Sequence, residues 1–139
     1  MEIPGCYAGK ILNVDLTRGH MREERLPAEV YRQFVGANGL GVRVLYERMK
    51  AGVDPLGPEN ILGFVVGGLT GTASPGSGRH MLVTKSPLTG TWAESNSGGT
   101  LGPELKGAGY DAVFFSGISP RPVYLDIRDG GAELKDASE

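Results

Sequence analysis

The sequence predicts an α+β fold. Three observations lead there: several segments of strand length, short stretches with apolar residues at helical spacing, and their arrangement in blocks without strict βαβ alternation. At 139 residues the chain fits one domain, residues 1–139. A chain of that size buries about two-thirds of its unfolded surface.

Gly9 to Leu16 alternates apolar and polar residues and runs into Thr17-Arg18-Gly19, so it reads as a strand entering a turn. His20 to Leu26 returns beside it as a hairpin partner. Pro27 to Val35 places proline at a first helical position and Val30, Phe34 and Val35 on one stripe, which predicts a short helix. Gly36-Ala37-Asn38-Gly39-Leu40-Gly41 then reads as a glycine-rich entry to a second helix, with Val42, Leu45, Tyr46 and Met49 on one face and Gly52 and Pro55 as its stop. Such an entry offers free N–H groups to an anion, or serves as a plain loop and cap; spacing alone favours the plain loop.

Asn60 to Gly68, Arg79 to Lys85, Ala112 to Ser116 and Pro122 to Ile127 are short apolar runs that predict further strands. A helix fits between Gly99 and Gly109, with Leu101, Leu105 and Ala108 on one face and Pro103 in the first turn. Gly130 to Glu139 reads as a polar tail or an edge strand.

Composition removes several function classes. A formal net charge of -2 gives no electrostatic drive for nucleic-acid binding, which needs a basic surface to release phosphate counterions. No stretch approaches the length of a membrane span, and Met1 to Lys10 lacks a basic region followed by an apolar one, so the expected compartment is the cytoplasm. Cys6 is the only cysteine, so the chain cannot close a disulfide or hold a four-cysteine cluster; Cys6 itself reads as a small buried or tolerated residue. Glu23, Glu24, Glu47, Asp54 and Glu59 are dispersed and read as surface charge, with no pair placed for acid–base work. His80 reads as a structural or solvent-facing imidazole, and Trp92 and Tyr110 as core or rim aromatics, Trp92 also being suited to stack on a flat ring.

The chain holds 23 glycines and 9 prolines, many of them between Gly67 and Gly109. There Gly68-Leu69-Thr70-Gly71-Thr72, Ser74-Pro75-Gly76-Ser77-Gly78-Arg79 and Lys85-Ser86-Pro87-Leu88-Thr89-Gly90 follow in quick succession, and Ser95-Asn96-Ser97-Gly98-Gly99 comes after them as a fourth loop. Hydroxyls, approachable backbone and the planar fork of Arg79 suit phosphate or heterocycle recognition. None of these runs is a Walker loop or a dinucleotide fingerprint, and on residue types alone a ligand cradle and ordinary turn chemistry stand level.

The order of the runs is more specific. PENILGFVVGGLTGT, SGRHMLVTKSPLTG, SNSGG and ELKGAGYDAVFFSG succeed one another, bounded by GKILNVDLT and PVYLDIRD. Over nearly the whole chain this resembles the N-terminal domain of the aldehyde:ferredoxin oxidoreductase family. The resemblance implies duplicated β3-α-β3 halves in β/α/β layers, forming the base under a tungstopterin: tungsten held by dithiolene sulfurs of two pterins, with a 4Fe-4S iron–sulfur cluster beside it. It implies oxidation of aldehydes to carboxylic acids, with electrons passed to ferredoxin.

By the same likeness Arg79, Asn96, Ser97 and Gly98 fall on cofactor contacts, and the main-chain carbonyl of Asn96 falls on a contact to a Mg2+ ion that bridges the pterin phosphates. Asn38 stands where family members usually carry arginine. The cluster cysteines, proton-transfer residues and most of the substrate pocket belong to later domains, so the isolated chain is expected to be inactive and to need those domains as partners. A freestanding metal-pterin carrier without catalysis is the alternative. A homodimer is compatible with the sequence, which shows neither a heptad nor an obvious unpaired apolar patch to decide it.

Overall fold

A computed structural model describes residues 5–128 and 130–138. Strands β1 (Ile11–Asp15) and β2 (His20–Glu24) form the expected antiparallel hairpin, closed by Gly19 at φ 62°. Helix α1 (Ala28–Phe34) starts one residue later than expected, because the extended backbone of Pro27 makes it the cap instead of the first helical residue.

Helix α2 (Ala37–Arg48) corrects the reading of the glycine-rich entry, since Ala37 to Gly41 are already its first turns. The glycines there serve close packing. A Cβ on Gly39 would overlap the carbonyl oxygen of Phe34, and one on Gly41 would lie 2.9 Å from both methyls of Val83. The helix therefore seats directly on the sheet at Gly41.

Strands β3 (Ile61–Val66), β4 (His80–Lys85) and β6 (Ala112–Ser116) match the predicted apolar runs. Strand β5 (Trp92–Ser97) does not: its sequence WAESNS is polar on both faces and was expected to end in a loop at Ser95 to Gly99. It is the last strand of the sheet and largely exposed, so alternation has no core to answer to. Helix α3 (Leu101–Gly107) lies within the predicted window, and β7 (Val123–Arg128) pairs with β8 (Gly131–Asp136), which settles the polar C-terminal segment as a strand.

Six strands form one mixed sheet in the order β2-β1-β6-β3-β4-β5, and β7-β8 is a separate hairpin. The α+β class holds. All neighbours are antiparallel except β1 and β6. Two successive units of hairpin, helical segment and strand build this sheet, β1-β2-α1-α2-β3 and β4-β5-α3-β6, and the strand order of one mirrors that of the other.

Each sheet face carries its own core. On one, Ile11, Val65, Val83, Ala112 and Phe114 pack against Tyr31, Leu40, Val44 and Leu45 of α1 and α2. On the other, Leu12, Val14, Val66 and Val113 meet Leu105 of α3 and Tyr110, with Leu125, Ile127 and Leu134 of the β7-β8 hairpin against them. Burying a Leu or Val contributes about 1.5–3 kcal/mol, so these two layers are the main source of stability. No helix among the described residues is long and apolar enough to cross a membrane.

Candidate functional site

At one end of the sheet three segments converge: the N-terminus of α2, the loop from Gly67 to Arg79 and the end of β5. Antiparallel register opposes Met81 to Asn96 and His80 to Ser97. Met81 and Val83 belong to the helix-covered face, so Trp92, Glu94 and Asn96 share that face. Arg79 reaches across and its Nη1 donates to Oδ1 of Asn96 over 2.7 Å. Both residues are exposed, and among the described residues no carboxylate pairs with Arg79.

Together with Ala37, Gly67, Leu69, Thr70, Gly76, Ser77 and Met81 they line a cavity of about 210 Å³. Its floor is set by backbone. Gly36, the residue before α2, bridges to Gly67, and a Cβ on Gly36 would come 3.1 Å from the carbonyl oxygen of Val66. Val35, Gly36 and Ala37 carry successive positive φ values of 60°, 91° and 48°. Two of the three are not glycine, so the turn that aims the start of α2 into the cavity stores strain of order 1–3 kcal/mol per residue. Asn38 follows, its Oδ1 buried without a hydrogen-bond partner among the described residues.

A buried ion pair supports the site from beneath. Asp111, fully buried, accepts from the backbone N–H groups of Ala8 at 3.1 Å and Gly9 at 2.6 Å and from Lys106 Nζ at 2.6 Å. Its own carbonyl receives the N–H of Val66, the residue before the Gly67 loop. Lys106 also donates to the Cys6 carbonyl and stands over the Tyr7 ring. Burial, then the charge of Asp111, pushes the Tyr31 phenol far above its usual range. Sequence reasoning gave no role to Asp111 and Lys106, although both lie in the ELKGAGYDAVFFSG run, because their pairing depends on the turn after α3.

Of the residues singled out in the sequence, Arg79 and Asn96 are brought together. Ser97 is not on their face: it lies opposite His80 on the other side of the sheet, and its hydroxyl approaches the Gly98 carbonyl at 3.4 Å. Ser97 was expected in a loop, where facing is free, whereas strand alternation turns it away from Asn96. Gly98 lies just past β5 and is exposed, with open space where a Cβ would stand. His80 is buried beside Phe64, its Nδ1 lacking a partner among the described residues, and Tyr110 is core. Cys6 is exposed.

Trp92 does not line the Arg79 cavity. It belongs to a larger cleft, about 510 Å³, at the other end of α2 with Val42, Tyr46 and Met49. That cleft is lined mainly by apolar groups, and its two lysines are engaged, Lys85 Nζ by the Val53 carbonyl at 2.6 Å and Lys50 Nζ by Glu59 at 3.1 Å. The smaller cavity is the candidate because its cation, amide and helix N-terminus converge on one point. Among the described residues no group of three or more His, Cys, Asp or Glu side chains is placed to hold a metal.

The family defined as the aldehyde ferredoxin oxidoreductase N-terminal domain matches residues 11–139. The chain belongs to this family. A tungsten-containing aldehyde ferredoxin oxidoreductase of Pyrococcus abyssi is 49% identical over 133 residues, covering 96% of this chain and 22% of the relative. An aliphatic sulfonate oxidoreductase, WOR-like subunit, of Pyrococcus furiosus is 40% identical, with the same two coverages of 96% and 22%. Among solved structures, the active-site complex BamBC of benzoyl coenzyme A reductase with 1,5-dienoyl-CoA superposes with a TM-score of 0.93 at 39% identity, over 96% of this chain and 20% of that one. The chain thus spans about a fifth of the length of each of these three proteins.

Proposed function

We propose that residues 1–139 are the base domain of a tungsten-dependent oxidoreductase, cradling a tungsten bis-pterin cofactor at the Arg79–Asn96 cavity. The observation that carries this reading is the arrangement of an exposed guanidinium that has no carboxylate partner among the described residues, hydrogen-bonded to an amide and lining one cavity with a strained helix N-terminus. That donor set fits a phosphate-bearing heterocycle: the guanidinium supplies charge and paired N–H groups, and the helix N-terminus supplies backbone N–H groups.

When bound, the cofactor supplies two-electron redox chemistry at the metal. This chain's own part is to bind and orient. Arg79 neutralises and aligns an anionic group, Asn96 holds Arg79 in place, and Gly98 leaves its surroundings open to close backbone approach. Asn96 is also the proposed Mg2+ contact, through its main-chain carbonyl, an oxygen ligand of the kind a hard cation prefers. Ser97 is proposed as a contact through its backbone, given where its side chain lies. In the fold, the two hairpin–helix–strand units support the duplication, but among the described residues each unit holds three strands of one sheet with helices on both faces, in place of the expected β3-α-β3 halves in β/α/β layers.

The proposed overall reaction is oxidation of an aldehyde with water to a carboxylic acid, releasing two protons and passing two electrons to ferredoxin. The 4Fe-4S cluster that would carry them takes its ligands from other parts of the protein, since the chain has one cysteine. Aldehyde is favoured as substrate by the 49% relative, while the 39% identity to a benzoyl coenzyme A reductase complex favours a second reading, reduction of the acyl ring of a coenzyme A ester. Tungsten and pterin content of the anaerobically purified native protein, wild type against Arg79→Ala, tests the cradle. Loss of cofactor supports it, and an unchanged content contradicts it.

A further inference from the structure

Within the loop that carries Arg79, one buried hydroxyl ties the first residue to the last. Thr70 is 6% exposed, and its Oγ1 accepts from the Gly67 N–H at 3.0 Å and donates to the Arg79 carbonyl at 2.9 Å. A hydroxyl can do both at once; a methyl can do neither. The methyl of Thr70 has its own neighbour. A Cβ on Gly102 would lie 3.1 Å from Thr70 Cγ2, 3.2 Å from the Gly78 carbonyl oxygen and 3.3 Å from that of Arg79, so the first turn of α3 rests on the same loop. Gly67 in turn bridges to Gly36 at the start of α2. One side chain therefore links the end of β3, the start of β4 and the entry to α2, with α3 packed behind it.

We propose that Thr70 is a positioning residue of the cradle: its hydroxyl fixes the Arg79 carbonyl and so the direction in which the Arg79 guanidinium leaves the backbone toward Asn96. This rests on reading Arg79 and Asn96 as cofactor contacts. The guanidinium sits at the end of a long side chain, so a backbone tilt of roughly 10° displaces it by about 1 Å, the scale at which a preorganised contact fails. Thr70→Ser keeps both hydrogen bonds and loses the methyl. Thr70→Val keeps the shape but leaves the Gly67 N–H and the Arg79 carbonyl unpaired.

The test uses the native protein that contains this chain, as wild type, Thr70→Ser, Thr70→Val, Arg79→Ala and Gly63→Ala. Gly63→Ala is a core control, because its Cβ would press on Phe114 and Val83, away from the loop. Pterin and tungsten are measured after anaerobic purification, and the Arg79–Asn96 distance is read from a crystal structure of the Thr70→Val protein. Thr70→Val is expected to lose about tenfold in retained pterin, with Thr70→Ser within about twofold of wild type and Gly63→Ala retaining its cofactor. Retention by Thr70→Val equal to that of Gly63→Ala, or equal losses in the serine and valine variants, overturns the inference.

Should Arg79→Ala retain its pterin, the cofactor reading fails, and the crystal structure judges Thr70 by itself. An Arg79 Nη still bonded to Asn96 in Thr70→Val refutes the positioning role, and a separated pair upholds it. Should Thr70→Val fail to accumulate, Thr70→Cys replaces it, with a thiol too weak to hold either bond well. Its pterin retention is expected between that of serine and Arg79→Ala, and retention at the wild-type level counts against the role.

Discussion

Replacing Asp111 tests how the cradle is supported. Its carboxylate is fully buried, its partner Lys106 is only 14% exposed at the side chain, and two backbone N–H groups depend on it. In Asp111→Asn the amide keeps one acceptor oxygen, while its NH₂ group faces either the Gly9 N–H or both the Ala8 N–H and Lys106 Nζ, donor against donor. Breaking one side of a buried pair costs about 3–5 kcal/mol, out of a total stability of roughly 5–15 kcal/mol. Urea unfolding of the Asp111→Asn chain should therefore show a loss of at least about 3 kcal/mol. Adding Lys106→Met removes the stranded charge and should recover at least about 1 kcal/mol of that loss, a coupling that a double-mutant cycle measures. Amide exchange at Ala8 and Gly9 should accelerate in the single variant. A loss below about 1 kcal/mol, or strict additivity with Lys106→Met, would refute the account of this pair as the support beneath the Gly67 loop.

Other predictions follow from single features. Tyr110 is buried and donates to Glu23 at 2.5 Å; burial first and that bond second push its phenol up to about 12 from an ordinary value of 10.0. The neutral phenol is the form the fold favours, so its stabilisation is intact below pH 10.0 and is lost as pH rises toward about 12. Alkaline unfolding of Tyr110→Phe should lack that component. Gly63→Ala places a Cβ 2.6 Å from Phe114 Cε1 and 2.8 Å from Val83 Cγ2, and overpacking of this kind should lower stability by about 1–3 kcal/mol in a urea titration. Val35 is exposed with φ 60°, so Val35→Gly should raise stability by about 1 kcal/mol, read as a higher thermal midpoint.

Legibility in the sequence followed burial. β1, β3, β4 and β6 each present apolar side chains to a core, and their runs announced them within a residue or two. β5 is not predicted as a strand, and its second half reads as a loop, because WAESNS faces solvent at the sheet edge, where pairing to β4 is made by backbone alone. That matters for the site, since strand alternation separates Asn96 from Ser97 in a way that residue types do not reveal. The start of α2 was masked for a similar reason: Gly39 and Gly41 look like loop residues, but a Cβ at either would collide with Phe34 or Val83. Arg79 and Asn96 were legible through a sequence likeness that spans the chain. The supports, Thr70 and the Asp111–Lys106 pair, lie within the GGLTGT and ELKGAGYD runs, but residue type alone does not reveal their roles, because the contacts they make exist only in the fold.

The most direct measurement is an experimental structure of the native protein, purified anaerobically with its cofactor. The account predicts pterin phosphate oxygens within about 3 Å of the Arg79 guanidinium, beside Asn96 and the start of α2. A bound cofactor whose phosphates lie elsewhere, with Arg79 and Asn96 bonded only to each other, would contradict it.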